Sequence, residues 1–404
     1  MTEDQGKPAI RFKGFTDVWE QRKLSRIATM HARIGWQNLR KSEFLEKGYS
    51  YLITGTDFID GSIDFDNCHF VTKDRYEQDM NIQVKNGCIL ITKDGTLGKV
   101  AQVNNLNMPA TLNAGVFNVK ITANNVDSKY LFHYLEAPFL MNYVSLKATG
   151  GTIKHLNQNI LVDFPILLPR LREQEMIGAY LSHFDNLITL HQREYDKTVN
   201  LKKAMLEKMF PKNGEDRPEI RFRGFTDAWE QRELGDLAKR TYGGGTPNTM
   251  KPEYWNGDIP WIQSSNLTET SFSASICKHV SHAGIVNSAT QIIPKNSIAI
   301  VTHVGVGKLS IMPMEYCASQ DFISLSDLCG DSYFLAVSFQ KKLQSDLAIV
   351  QGSAIKGITK NDLLSKIIFT PNINEQKKIG KLFSDLDNLI TLHQRESFVE
   401  QLQK

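Results

Sequence analysis

Cysteine is scarce. The five that occur in 404 residues, Cys68, Cys88, Cys277, Cys317 and Cys329, are odd in number and never spaced as C-x-x-C. That excludes a disulfide framework and paired zinc ligands, and it fits a reducing cytosol. Long apolar runs are absent too, since a membrane helix needs about 18 such residues. The most apolar stretch, Ile160 to Pro169, is broken by Asp163 and two prolines. Met1 to Phe15 runs acidic then basic with no apolar centre, so no signal peptide is expected and the location implied is cytoplasmic, with no membrane partner. An excess of one charge is also lacking: 47 basic against 44 acidic side chains leave +3. This is not the balance of a protein that coats DNA, although a local basic face can hide inside a neutral total. With 41% hydrophobic and 23% charged residues, the composition excludes disordered and collagen-like chains.

Catalytic motifs are missing as well. Two glycine-lysine loops, Gly95 to Lys99 and Gly305 to Lys308, approach the phosphate-binding pattern G-x-x-x-x-G-K-[ST]. The hydroxyl that would hold magnesium is replaced by Val100 and Leu309, and Thr302 stands where the second loop needs its first glycine. HExxH, G-x-S-x-G and the Asp/Asn-Pro-Pro-aromatic run of amino-methyltransferases do not occur, and the ten histidines have no ligand spacing. No cofactor or metal of the chain's own is expected. A DNA-modifying or nucleotide-hydrolysing enzyme with an unrecognised active site is the alternative reading.

What is present is a duplication. RFKGFTDVWEQRKL (Arg11 to Leu24) returns as RFRGFTDAWEQREL (Arg221 to Leu234), with 11 of 14 positions identical. DNLITLHQRE (Asp185 to Glu194) returns unchanged as Asp387 to Glu396, an offset of 202. EQ-x-x-IG recurs at Glu173 to Gly178 and Glu375 to Gly380, while Gly150, Ile153 and Lys154 map onto Gly352, Ile355 and Lys356. Between these anchors the halves diverge, apart from a faint likeness of Lys85 to Val100 and Lys295 to Leu309. One scaffold has been kept and two different inserts placed on it.

The divergent inserts carry β-branched runs broken by Gly, Asn and Asp-Gly turns, with helical patches at 128–146 and 333–350, so each is a mixed α+β domain of about 140 residues. The shared segments after them read as long helices. Ile177, Leu181, Phe184, Ile188, His191 and Tyr195 follow steps of four and three, as do Ile379, Phe383, Leu386, Ile390 and His393, the spacing of a coiled-coil seam. Forty residues at about 1.5 Å each make a rod of roughly 60 Å. The first helix ends at Phe210-Pro211, and the second starts after Pro371 with Asn372 and Glu375 as a cap that Arg170 cannot provide in the first copy. The boundaries expected are 1–168, 169–212, 213–370 and 371–404: insert domain, helix, linker with insert domain, helix. His191 and His393 on the seam are either partly buried residues bonded to a neighbour or residues that fix helix register or recruit a partner.

The glycine-lysine loops are suited to DNA. Glycine lets backbone approach a phosphate, and Lys, Thr and His offer donors to phosphates or base edges. The contacts this selects are Lys93, Thr96 and Lys99 in the first loop, Thr302, His303 and Lys308 in the second, and Lys154 and Lys356 after the matching glycine-rich turns. The other reading of each is an ordinary turn with solvated lysines. Trp19 and Trp229, inside the duplicated opening segment, are core anchors on this reading.

At this point the chain resembles the specificity subunits of Type I restriction-modification systems. The resemblance covers nearly the whole length. It rests on Tyr242 to Ile262 (YGGGTPNTMKPEYWNGDIPWI), like the opening of many target-recognition domains, on the proline-then-EQ start of each helix, and on the repeated DNLITLHQRE. It adds Thr246, in the first of these segments, to the candidate DNA contacts. The fold implied is two pseudo-repeated mixed α/β target-recognition domains joined by two long antiparallel coiled-coil helices. Each domain would read one half of a split, asymmetric site in double-stranded DNA, with the helices as ruler for the unread gap. Same-face contacts need centres near whole turns of about 34 Å, which a rod of that length can hold. The partners implied are two methyltransferase (modification) subunits and restriction (endonuclease and translocase) subunits. S-adenosylmethionine, ATP and magnesium would then belong to the partners. By the 202-residue offset the second helix would run to position 412, whereas the sequence ends at Lys404, so its last turns are expected to be missing or replaced.

Overall fold

A computed structural model describes residues 8–35, 38–147, 155–212, 214–268, 271–349 and 357–403. Two compact units divide inside a long helix, residues 1–187 with 403–404 on one side and 188–402 on the other. The helices used below are α1 (Ser128–Glu136), α2 (Phe139–Lys147), α3 (Leu171–Lys208), α4 (Ser332–Ile349) and α5 (Ile373–Gln403).

The duplicated segments build the same joint in each unit. In the first, strand Glu20–Lys23 pairs antiparallel with Pro165–Leu168, closing the insert just before α3. Arg11 then reaches into the first turn of α3 and grips Glu173 with two bonds of 2.6 and 2.7 Å. Glu173 is fully buried, and that fork gives its carboxylate a cationic partner. Its neighbour Gln174 donates to the Pro169 carbonyl at 2.8 Å and accepts the Asp127 N–H at 3.0 Å. Asp127 caps α1 by accepting the Tyr130 N–H at 2.8 Å. Gly178 completes the motif because α1 comes so close that a Cβ there would stand 2.7 Å from Tyr130 N.

The second unit repeats each part: Glu230–Glu233 with Ile367–Thr370, Arg221 on the buried Glu375 at 2.7 and 2.8 Å, and Gln376 between Pro371 and Asp331. Asp331 accepts from Phe334 N–H in α4, and Gly380 leaves it room. Asn372 does cap α5, accepting the Glu375 N–H at 3.1 Å. The reciprocal half of a capping box is absent, because the Glu375 carboxylate is spent on Arg221. Trp229 packs edge-on against Phe210 and Phe334, and the partly buried Trp19 meets Tyr130.

The inserts diverge in sequence but share sheet order. In the first unit an antiparallel sheet runs Ala28–His31, Val116–Ile121, Ile89–Thr92, Val100–Gln102. Successive side chains on a strand point to opposite faces. Ile89 and Ile91 therefore join Tyr130, Leu131, Leu140 and Val144 of α1 and α2, while Leu90 enters a second core with Tyr51, Ile53 and Leu112. That second core belongs to a sheet ordered His69–Val71, Ser50–Ile53, Ala110–Leu112, Gln83–Val84. Burial on both faces explains the unbroken apolar run Ile-Leu-Ile.

In the second unit the first sheet is Ala238–Gly243, Phe322–Leu328, Ser297–Val301, Leu309–Met312. Ile298 and Ile300 pack on Phe334, Leu335 and Phe339 of α4, and Ala299 and Val301 face the other core. The second sheet keeps Lys278–Val280, Ile259–Ile262 and Cys317–Ala318, with a single bridge, Ile293 to Tyr316, in place of a fourth strand.

Within the second unit the C-terminal part of α3 lies antiparallel to α5. Contacts descend on one helix as they ascend on the other: His191 with His393, Lys202 with Asp387, Phe210 with Phe383. Ile379, Phe383, Leu386 and Ile390 of the predicted stripe are buried. No helix among the described residues is long and apolar enough to cross a membrane.

Candidate nucleic-acid interface

Each glycine-lysine loop is the tip of a hairpin in the first sheet. Gly98 (φ +74°) and Gly307 (φ +92°) occupy the left-handed region at matching points of the turn. Gly98 N–H donates to the Thr92 carbonyl at 2.9 Å, and Gly307 N–H to the Val301 carbonyl at 3.2 Å. The first turn has an extra brace: the Thr92 hydroxyl donates to the Thr96 carbonyl and accepts the Lys99 N–H at 2.9 Å. Val301 has no hydroxyl to do the same.

Two further backbone bonds fix the equivalence of the halves. Lys93 N–H donates to the Gly115 carbonyl and Thr302 N–H to that of Asp321, at 2.8 and 2.7 Å. Leu156 N–H donates to the Lys93 carbonyl and Ile358 N–H to that of Thr302, at 2.9 and 2.7 Å. The hairpin base is thus stitched to the chain before the closing strand in both units, and an open groove lies there in each. The first groove, about 480 Å³, is lined by Lys93, Asp94, Phe117, His155, Asn157 and Gln158 together with 32–35. The second, about 550 Å³, is lined by Thr302, His303, Gln320, Ile323, Thr359 and Lys360 together with Gly243 and Gly244.

Matched positions carry different chemistry: Lys93 against Thr302, Asp94 against His303, Phe117 against Ile323, Gln158 against Lys360. In the first groove the Lys93 ammonium lies over the Phe117 ring at 5.5 Å, and His155 Nδ1 meets Asp94 Oδ1 at 2.5 Å. Beneath them the fully buried Arg33 donates to the Leu112 carbonyl at 2.9 Å. Burial, reinforced by Arg75, lowers the pKa of Arg33, but a guanidinium remains charged in proteins. Its positive charge therefore underlies the groove floor. In the second groove His303 and Lys360 are exposed.

Of the residues singled out in the sequence, Lys93, Thr302 and His303 line the grooves. Thr96 and Lys99 are exposed on the first hairpin tip, and Lys308 is half-buried on the second. Thr302 is buried, with its hydroxyl donating to the Asp321 carbonyl at 3.0 Å and paired with His303 Nδ1 at 3.2 Å. Its side chain therefore holds His303 rather than facing solvent. Thr246 is exposed and donates to Gln320 Oε1 at 2.5 Å, which ties it to the wall of the second groove. Lys154 and Lys356 lie outside the described residues.

Sequence reading missed Arg33, Asp94, His155, Gln158, Gln320 and Lys360. Only Asp94 borders a glycine-lysine loop; the others reach the grooves from other parts of the chain. The only signal was the offset: 155–158 and 357–360 continue the duplicated turn after Lys154 and Lys356. Gly244 and Gly245 of YGGGTP are structural. A Cβ on Gly244 would stand 1.7 Å from the Ser319 carbonyl oxygen, and Gly245 N–H donates to Ala318 at 2.7 Å.

Comparison with known proteins gives the family of the chain. The model for the Type I restriction modification DNA specificity domain matches twice, at residues 17–199 and 226–400. The chain is 25% identical over 282 residues to the putative type I restriction enzyme MjaX specificity subunit of Methanocaldococcus jannaschii, covering 68% of this chain and 64% of that protein. It is 30% identical over 168 residues to the EcoR124I/EcoR124II specificity subunit of Escherichia coli, covering 40% of this chain and 41% of that one. The matches thus span less than two thirds of the length of these two relatives. The crystal structure of a Type-I restriction-modification S subunit from M. genitalium has a similar fold, with a TM-score of 0.64 at 13% identity over 98% of this chain and 96% of that one. Matched in both its halves, the chain belongs to the Type I restriction modification DNA specificity domain family.

Proposed function

We propose that this chain is the DNA-reading subunit of a Type I restriction-modification complex and that each groove reads one part of a split, asymmetric site in double-stranded DNA. One observation carries the reading: two grooves at equivalent places in one repeated scaffold, with different side chains at matched positions. A symmetric reader would repeat its contacts, whereas Asp94 and Gln158 of the first groove are replaced by His303 and Lys360 at the same stations of the second. Base edges are told apart by donor and acceptor pattern, so these differences give each half its own preference. The hairpin tips, with Thr96, Lys99 and Lys308, supply phosphate contacts that position the duplex without reading it. Lys154 and Lys356 belong to the same set.

On this reading the chain does no chemistry. Two methyltransferase subunits dock on the two duplicated surfaces, restriction subunits join them, and the long helices set the unread gap. S-adenosylmethionine, ATP and magnesium are held by those partners. The test is DNA binding by the complex across a salt series, for Lys99→Ala and Lys308→Ala. Each removes one phosphate contact, so the slope of log K against log salt falls by roughly one and affinity drops evenly across DNA sequences. An unchanged slope removes the hairpin tips from the interface.

A further inference from the structure

The duplication brings a residue face to face with its own copy. His191 of α3 and His393 of α5 are related by the 202-residue offset, and antiparallel pairing sets them opposite each other in the second unit. Their Nδ1 atoms are 3.3 Å apart. Glu396, one turn beyond His393 on the same helix face, places Oε2 at 3.0 Å from His191 Nδ1 and 3.8 Å from His393 Nδ1. Two ring nitrogens and a carboxylate oxygen thus converge on one point. Two imidazoles can meet through Nδ1 either as a hydrogen bond, with one ring carrying the proton, or as two ligands of one metal ion. The carboxylate oxygen converging on the same point fits the second arrangement. A tetrahedral ion about 2.0–2.1 Å from each ligand holds ligand atoms roughly 3.3 Å apart, and the three edges here are 3.3, 3.0 and 3.8 Å.

We propose that His191, His393 and Glu396 form a binding site for Zn²⁺ or a first-row divalent ion of the same nitrogen and oxygen preference. Two neutral imidazoles and one carboxylate are the donor set of a three-ligand zinc site. Ligation through Nδ1 requires the proton on Nε2 of both rings. The side chains are half-buried, at 18, 18 and 40% exposure, so the ion can enter without unfolding the pair. A cleft of about 210 Å³ opens beside His393, lined by Gln192, Tyr195, Gln394 and Ser397. Among the described residues a second cluster, His133 with Glu136 and Asp185, offers one imidazole and spacings of 3.6 Å. Bound metal would join α3 to α5 at one register and resist sliding of one helix along the other.

The test uses the full chain, stripped with a chelator, titrated with Co²⁺ and followed by visible absorption, with Zn²⁺ added last. Wild type should bind one Co²⁺ with the intense bands of four-coordinate cobalt, and Zn²⁺ should abolish them. His191→Gln and His393→Gln should each weaken binding by roughly 100-fold, and Glu396→Gln, which keeps both rings, by roughly 10-fold. His183→Gln, an exposed residue eight positions before His191 in α3, should bind as wild type does. Zn²⁺ should also raise the melting temperature of wild type but not of His393→Gln. No saturable Co²⁺ binding by wild type overturns the proposal, as does equal affinity in wild type and both histidine variants. A histidine variant that loses its helical signal leaves the decision to the wild-type spectrum and Glu396→Gln.

Discussion

Arg221→Ala should cost far more than the loss of one surface charge. Arg221 grips the fully buried Glu375 through two bonds of 2.7 and 2.8 Å, and its own side chain is 13% exposed. Truncation leaves a buried carboxylate without its cation, which costs about 3–5 kcal/mol, against about 0.2–1 kcal/mol for an exposed pair. In a unit of this size each kcal/mol moves the melting temperature by about 2–4 °C, so the second unit's transition should fall by roughly 6–20 °C. Calorimetry and urea melts can follow it, with exchange protection of Glu230–Glu233 and Ile367–Thr370 assigning the change to the second unit. Replacing both partners by Met should recover most of the loss, because a buried pair exchanged for packed apolar groups is close to neutral. A full double-mutant cycle isolates the coupling. Arg11→Ala should do the same to the first unit alone, through Glu173. A loss below about 1 kcal/mol, or a double variant no better than Arg221→Ala, would refute the view of this joint as a buried clamp.

Two further outcomes follow from single groups. Gly244→Ala must push against the Ser319 carbonyl and should destabilise the second unit by about 1–3 kcal/mol in a urea melt, whereas Gly243→Ala, with open space around its Cβ, should not. Burial lowers the Lys341 ammonium to about 8 from its ordinary 10.5, where it donates to the Leu206 carbonyl and lies over Phe210. Between those values the folded unit has released a proton that the unfolded chain keeps, so stability rises with pH across that window. The urea midpoint of the second unit should climb accordingly, and Lys341→Met should flatten the rise.

Much of the architecture was legible because duplication marks scaffold. The steps of four and three in Ile379, Phe383, Leu386 and Ile390 give a helix face whatever the tertiary context, and the structure buries all four. The motif EQ-x-x-IG could be recognised as repeated but not explained. Its partners Arg11, Asp127 and Tyr130 are distant in sequence, and nothing local marks a glutamate as buried. The shared sheet order of the two inserts was hidden for a different reason. A strand buried on both faces needs only apolar residues at alternating cores, so Ile-Leu-Ile and Ile-Ala-Ile-Val satisfy the same place with little identity.

The grooves show the limit most clearly. Glycine and lysine flagged the hairpin tips, but the walls come from 32–35, Phe117 and 155–158 in one unit and from Gln320, Ile323 and 358–360 in the other. Those segments meet through sheet pairing, which places Phe117 and Ile323, and through one backbone bond in each unit, from Leu156 to Lys93 and from Ile358 to Thr302. Thr302 illustrates the converse, a polar residue chosen for its donor whose hydroxyl is used inside the fold.

The central claim, that each groove reads its own half of a split site, is tested most directly by exchanging one insert. Residues 26–165 are replaced by the corresponding segment of a relative with a different recognition site, and the methylated motif is mapped genome-wide in cells carrying the complex. The account predicts that one half of the motif changes while the other half and the gap between them stay as they were. A change in both halves, or in neither, would contradict it.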